Sequence, residues 1–245
     1  MSIDIRLHAR AIESIFELLG TKENDITYSL GWALAQCDAF RKAFVSVLFP
    51  ERSVVVESVW LQTHQAGSGI TDVELRGPSL HVIIEAKRGW ALPGKAQLKQ
   101  YAARLAGAGR EDRMLVTMSE CSLDYGALYS QDSIDGIPVR HFSWNSIHKL
   151  SRATNGTHAE KRLLKEFRTY LERIVKMQNQ SSNLVYVVSL GGDTPTWSTL
   201  NWQQFVNDRK LYFHPVGGNG WPKEPPNYIA FRYAGKLQTI HHVDD

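Results

Sequence analysis

In residues 69–105, GITDVELRGPSLHVIIEAKRGWALPGKAQLKQYAARL, three charged side chains stand at spacings that suit chemistry. Alternate residues of a strand share a face, so Glu85 and Lys87 point the same way as His81 and Ile83, while Val82, Ile84 and Ala86 point oppositely. Asp72 lies on the preceding strand of a hairpin. A loop of two or four residues puts it opposite 83 or 85, beside Glu85; a loop of three puts it on the other face unless a bulge corrects the register. Two carboxylates on neighbouring strands suit a hard divalent cation such as Mg²⁺, which prefers oxygen ligands and keeps several waters. A lysine two residues on suits orienting or deprotonating an attacking water and offsetting charge on a phosphate, the needs of phosphodiester hydrolysis. The plain alternative is a solvated sheet face. Against it, VIIEAK ends an almost wholly apolar strand, so the charges sit at the tip of a buried element.

The elements around these residues follow from periodicity and punctuation. Residues 7–20 read as a helix with Ile12, Ile15, Phe16 and Leu19 on one face. Asp25 is placed to cap a second helix running to about residue 47, which Pro50 ends. Residues 53–62 read as a strand, 70–76 and 80–87 as a hairpin around Gly77-Pro78-Ser79, and the stretch after Pro93-Gly94 as a helix. Residues 114–118 and 138–142 are short strands, and Ser143 can cap a helix in WNSIHKLSRA. Residues 159–177 form an amphipathic helix, apolar at Leu163, Leu164, Phe167, Leu171 and Ile174. The order is α-β-β-β-α-β, followed by another strand and helix.

Asp72 followed by Glu85-Ala86-Lys87 in that order of elements resembles the PD-(D/E)XK nuclease superfamily. Gln97-Leu-Lys-Gln-Tyr101 is similar to the Q-x-x-x-Y motif of its RecB-like branch, and an i, i+4 pair shares a helix face. The resemblance spans residues 10–150; Thr71 stands where the family name has proline. It implies an α/β fold with an αβββαβ restriction-endonuclease-like core and a mixed sheet. It also implies an endonuclease-type enzyme using Mg²⁺, with Mn²⁺ able to substitute, on DNA rather than RNA, in genome (phage) defence or DNA repair. Asp72 and Glu85 would be metal ligands, Lys87 the water-orienting group, and Gln97 and Tyr101 positioning residues. The family adds an acid from its first core helix. Glu23 is the best match as third catalytic and metal-binding acid, with Glu13 and Glu17 as alternatives. Glu74 shares the face of Asp72 and is a candidate supporting group.

Lys87, Arg88, Lys95, Lys99, Arg104, Arg110 and Arg113 cluster near the motif and suit a polyanionic substrate. Arg88 and Lys95 are the substrate-binding candidates, with Trp90 placed to stack on a base. The wider composition agrees with a folded protein: 245 residues, 43% hydrophobic and 22% charged, which excludes disordered, collagen-like and coiled-coil chains. A net charge of +3 permits a polyanionic partner without demanding one. No run approaches a membrane span, and the first residues lack an uninterrupted apolar stretch, so a cytoplasmic protein without a membrane partner is expected. Cys37 and Cys121 form no framework and read as small core residues.

After the polar break QNQSSN the composition changes: residues 183–245 hold Trp197, Trp202 and Trp221 among many aromatics, with balanced charge. The expected organisation is a nuclease core over 1–150, a connecting helix and linker over 151–182, and a small β-rich module over 183–245. A hairpin of 228–233 and 236–243 belongs to that module, which would select substrate, bind a protein partner or support a homodimer. His214, His241 and His242 make no convincing metal spacing. The competing reading is a nucleic-acid-binding or nucleotide- or partner-sensing module that keeps the nuclease-like fold and does not cleave.

Overall fold

A computed structural model describes residues 5–8, 10–65, 69–121, 123, 125–126, 130–174, 185–213, 226 and 228–243. The linker QNQSSN, His214 and Trp221 lie outside them, and so does the end of the helix expected to reach 177. The chain forms two compact units, Met1–Met177 and Gln178–Asp245.

The first unit is mixed α/β. It begins with a short pair of strands, β1 (Arg6–Leu7) and β2 (Arg10–Ala11), and a 3₁₀ turn at Ile15–Leu18. Helices α1 (Glu23–Gln36) and α2 (Asp38–Leu48) follow, then strands β3 (Ser58–His64), β4 (Ile70–Arg76) and β5 (Leu80–Ala86). Helix α3 (Lys95–Gly107) leads to β6 (Asp112–Ser119), β7 (Ser133–Ile134) and β8 (Ile137–Ser143), and the unit closes with α4 (Trp144–Ala153) and α5 (His158–Ile174). Strands β3–β8 make one sheet in the order β3-β4-β5-β6-β8-β7. The β3/β4/β5 pairs are antiparallel, β5/β6/β8 parallel.

The helix expected over 7–20 does not form. Ser14 and Glu17 make a capping box: the Ser14 hydroxyl accepts from Phe16 N, and Glu17 Oε1 accepts from Ser14 N at 3.1 Å. Such a box opens a helical turn and cannot lie inside one, so the apolar stripe is divided by its own cap. The single helix expected over 25–47 is two helices. Cys37 takes an extended conformation (φ −115°, ψ 100°), and its Sγ accepts from Phe40 N to start α2. The N-cap of α1 is Lys22 and not Asp25, which lies at the third helical position and accepts from Lys22 N at 2.8 Å. The strand expected over 53–62 begins only at Ser58. Ser143 caps α4 by accepting from Ser146 N.

Both faces of the sheet are covered. On one, Val73, Leu75, Val82, Ile84 and Val116 pack against α1, α2, α4 and α5 through Leu30, Phe44, Trp144 and Phe167, all buried. On the other, Ile83 and Leu115 meet Leu98, Tyr101 and Leu105 of α3. Every residue of β5 is therefore buried, which is why its sequence is apolar on both faces from Val82 to Ile84. Helix α5, read from the sequence as a connector, buries Leu164, Phe167, Tyr170 and Leu171 in the core of this first unit.

The second unit has its own sheet, β11-β10-β9, from β9 (Val185–Ser189), β10 (Tyr228–Tyr233) and β11 (Lys236–His242). The hairpin turns at Ala234-Gly235, both with positive φ. Strands β9 and β10 are parallel, and α6 (Trp202–Arg209), which the sequence reading missed, lies between them in the chain. Its signal was present: Asn201 and Gln204 form a reciprocal capping box. Much of the aromatic content forms a local core, with Phe231 and Val206 buried and Tyr186, Trp202, Tyr212 and Tyr233 around them.

Candidate active site

The loop between β4 and β5 decides which face Asp72 takes. Pairing runs from Val73↔Ile84 to Arg76↔His81, which leaves the four residues 77–80 to close the turn. The even loop extends this register one step to set Asp72 opposite Glu85, on the face that α3 covers. Gly77 serves the turn because a Cβ there would collide with the Val55 carbonyl oxygen. The parallel register then carries the same row across the sheet: Glu85 pairs with Thr117, and Thr117 with His141.

Asp72 and Glu85 are 6% and 3% exposed, an expensive place for two carboxylates. Asp72 Oδ2 accepts from Ala86 N at 2.8 Å and Oδ1 from Gln62 Nε2 at 3.0 Å. Glu85 Oε1 accepts from Lys87 Nζ and Gln97 Nε2, both at 2.7 Å, while Oε2 is buried without a hydrogen-bond partner. Burial raises the pKa of Asp72 against the pull of its two donors. Burial, and then the charge of Asp72, raises that of Glu85. Burial disfavours the Lys87 ammonium, but Glu85 and Glu23 outweigh it and hold its pKa above the ordinary value.

Glu23 reaches this group from the first turn of α1. Its Oε1 accepts from Lys87 Nζ at 3.1 Å and its Oε2 from Arg88 N at 3.0 Å. The alternatives do not: Glu13 and Glu17 both pair with Arg173 near the end of α5. Gln97 and Tyr101 meet as their spacing suggested, the Gln97 amide donating to the Tyr101 hydroxyl at 3.0 Å as well as to Glu85. Tyr101 donates to Ile70 O at 2.5 Å, and burial followed by the charge of Glu85 pushes its pKa up to about 12.

Arg104 continues the same stripe of α3 one turn further on. It forms a buried ion pair with Glu74 at 2.5 Å and donates to Thr63 O at 3.2 Å. Glu74 also accepts from Thr71, Arg76 and His81. Burial disfavours its charge, but these donors outweigh burial and bring its pKa down to about 2. The role of Glu74 is thus mechanical: bonded to Arg104, Thr71, Arg76 and His81, it clamps α3 to β4. Arg104 accordingly leaves the basic patch in which its charge was counted.

The substrate-binding candidates divide. The Arg88 guanidinium is engaged within the fold, donating to Thr21 O and Ile174 O and pairing with Glu120 at 3.0 Å. Trp90 is half-buried and packs edge-on against Tyr125, with ring centroids 4.9 Å apart. Lys95 is exposed at the first residue of α3. Gln62 was missed altogether, because a glutamine in a strand carries no signal until its neighbour is known.

No protein-family model, curated protein or solved structure matches the chain. The chemistry therefore rests on the geometry. Among the described residues no group of three or more His, Cys, Asp and Glu side chains converges to hold a metal. A cation here would lie on two carboxylates and complete its shell with water and substrate oxygens, the habit of Mg²⁺. The buried, unpartnered Glu85 Oε2 and the raised pKa values of both acids fit that occupant, since a positive charge would relieve both. Away from this site, no helix among the described residues is long and apolar enough to cross a membrane.

Proposed function

We propose that the chain is a metal-dependent phosphodiesterase with a restriction-endonuclease-like core of the PD-(D/E)XK kind, hydrolysing DNA. The observation that carries this reading is the Glu85 carboxylate. It is buried opposite the position of Asp72, with one oxygen held by Lys87 and Gln97 and the other without a partner. Folding alone gives no reason to bury two facing acids at a strand tip and attach a lysine to one of them.

Asp72 and Glu85 would hold Mg²⁺ or Mn²⁺, with Glu23 beside Lys87 as the third acid. Such an ion supplies Lewis acidity and a more acidic water. Lys87 keeps its proton and places positive charge at Glu85 Oε1, where it can orient water and offset charge on a phosphate oxygen. Gln97, braced by Tyr101, fixes the Glu85 rotamer. Genome defence or repair suits such an activity.

A second reading, a nucleic-acid-binding module that does not cleave, is favoured by one observation. Lys87 lies between Glu23 and Glu85 and already neutralises part of the acidic charge. Cleavage of labelled single- and double-stranded DNA and RNA with Mg²⁺, Mn²⁺ or EDTA decides between them. The phosphodiesterase reading expects products with either metal and none with EDTA; binding without products in any metal supports the second reading.

A further inference from the structure

Beside the acidic pair lies a cleft of about 250 Å³ that the chemistry above does not use. It opens between the start of α3, the segment before it, β6 and β7. Leu92, Leu98 and Ile134 give it apolar walls, Thr117 lies at its base, and exposed Lys95 and Gln131 line its rim. Thr117 is the register partner of Glu85 and faces the same side of the sheet. The cleft therefore begins at the residue one strand over from Glu85, about 4.8 Å away between backbones. That is comparable to the reach from a phosphate across its sugar to its own base.

The volume is below the roughly 300–1,000 Å³ usual for drug-sized ligands and suits a single planar heterocycle. Branched aliphatic walls bury the ring faces, while the Gln131 amide, donor and acceptor together, suits the hydrogen-bonding edge of a base. Lys95 adds positive charge at the mouth, where the α3 N-terminus also favours an anion. A base in continuous duplex is stacked and paired and cannot enter without being extruded, whereas a base in a single strand is free to enter.

We propose that this cleft receives one unstacked nucleobase flanking the scissile phosphate, making single-stranded DNA the preferred substrate over continuous duplex. The proposal rests on the phosphodiesterase reading. Gln131→Trp and Leu92→Trp fill the cleft from its rim and wall without touching the acids, Lys87 or Gln97.

The test uses the full chain with Mg²⁺ on labelled oligonucleotides of one sequence, single-stranded, duplex, or single-stranded with an abasic site next to the cut. Wild type is expected to cleave the single strand at least tenfold faster than the duplex. Each filling variant, checked for an unchanged melting curve, and the abasic substrate should each lose at least tenfold in kcat/KM on the single strand. Equal cleavage of both forms, or filling variants that cut like wild type, overturns the cleft proposal and leaves the phosphodiesterase reading standing. If wild type cuts nothing, the phosphodiesterase reading falls, and anisotropy with the same labelled single strand in EDTA decides the cleft. Binding weakened tenfold by Gln131→Trp supports base capture, and unchanged binding overturns it.

Discussion

Gln62 donates to Asp72 at 3.0 Å from a backbone with φ of 47°, in the left-handed region that side chains rarely adopt. It stands between the pairs Leu61↔Val73 and Thr63↔Thr71, directly across from Asp72. The strand takes this left-handed conformation at the residue whose side chain holds the acid. Strain of this kind costs about 1–3 kcal/mol and persists only where the surroundings enforce it.

Gln62→Gly should relieve that strain while removing the hydrogen bond. We expect a melting temperature close to wild type, because relief of the strain offsets the lost bond, together with a rate lowered at least tenfold, because a bond to a charged group contributes about 1.5–3 kcal/mol. Gln62→Ala should lose both rate and stability. Melting curves and kcat for the two variants check this; a Gly variant of full activity would mean that Asp72 needs no such support.

Glu85→Ala and Lys87→Ala should each abolish metal-dependent hydrolysis without unfolding the protein. A loss of about 4 kcal/mol of transition-state stabilisation slows a reaction roughly a thousandfold. Rates beside circular dichroism spectra decide it, and two variants that both cleave like wild type would remove these residues from the chemistry.

The clamp between Arg104 and Glu74 makes a separate claim about stability. Arg104→Ala leaves a carboxylate buried with fewer donors, a change that costs about 3–5 kcal/mol. For a unit of this size that is a fall of about 10 °C in melting temperature. Arg104→Met combined with Glu74→Leu should cost less than Arg104→Ala alone, since no charge is then stranded. A double variant no better than the single one would show that the ion pair itself, and not the stranded acid, sets the cost.

His141 gives the pH dependence a definite sign. Burial holds its pKa down to about 4; Thr117 and the Cys121 thiol, itself raised by burial, face the ring at 3.0 and 3.3 Å. The folded state thus keeps the ring neutral, whereas the unfolded chain takes up a proton below about pH 6.5. Stability from this group is complete above pH 6.5 and is lost as pH falls towards 4, by about 3 kcal/mol in all. His141→Gln should flatten the melting temperature between pH 6.5 and 4 relative to wild type. Parallel slopes in the two proteins would assign the acid sensitivity elsewhere.

A chain ending near Ser181 should remain folded, because the first unit carries its own core through α5. We expect it to retain weak, less selective metal-dependent cleavage. A soluble, folded truncation inactive on every substrate would place residues of the second unit in the chemistry.

The local vocabulary of the site was legible in the sequence. An apolar strand ending in Glu-Ala-Lys, a hairpin, and an i, i+4 Gln and Tyr on a helix are short-range facts, and alternation or helical period alone placed each on a face. Ser143 as a cap and the final hairpin were legible for the same reason. Two of the failures were also local, and they came from reading apolar spacing ahead of caps. Ser14-x-x-Glu17 cut one expected helix short, and Asn201-x-x-Gln204 announced another that was not expected.

Residue types and spacings by themselves determined which side chains were available for chemistry. Whether Asp72 and Glu85 face each other depended on a hairpin register in which loops differing by one residue give opposite faces, and only the closed turn decided it. Tertiary structure likewise chose Glu23 over Glu13 and Glu17, turned Arg104 from a surface charge into a buried clamp, and brought Gln62 to Asp72. The physical reason is common to all of these. Periodicity encodes which way a side chain points within its own element, whereas its partner is set by packing between elements distant in the chain.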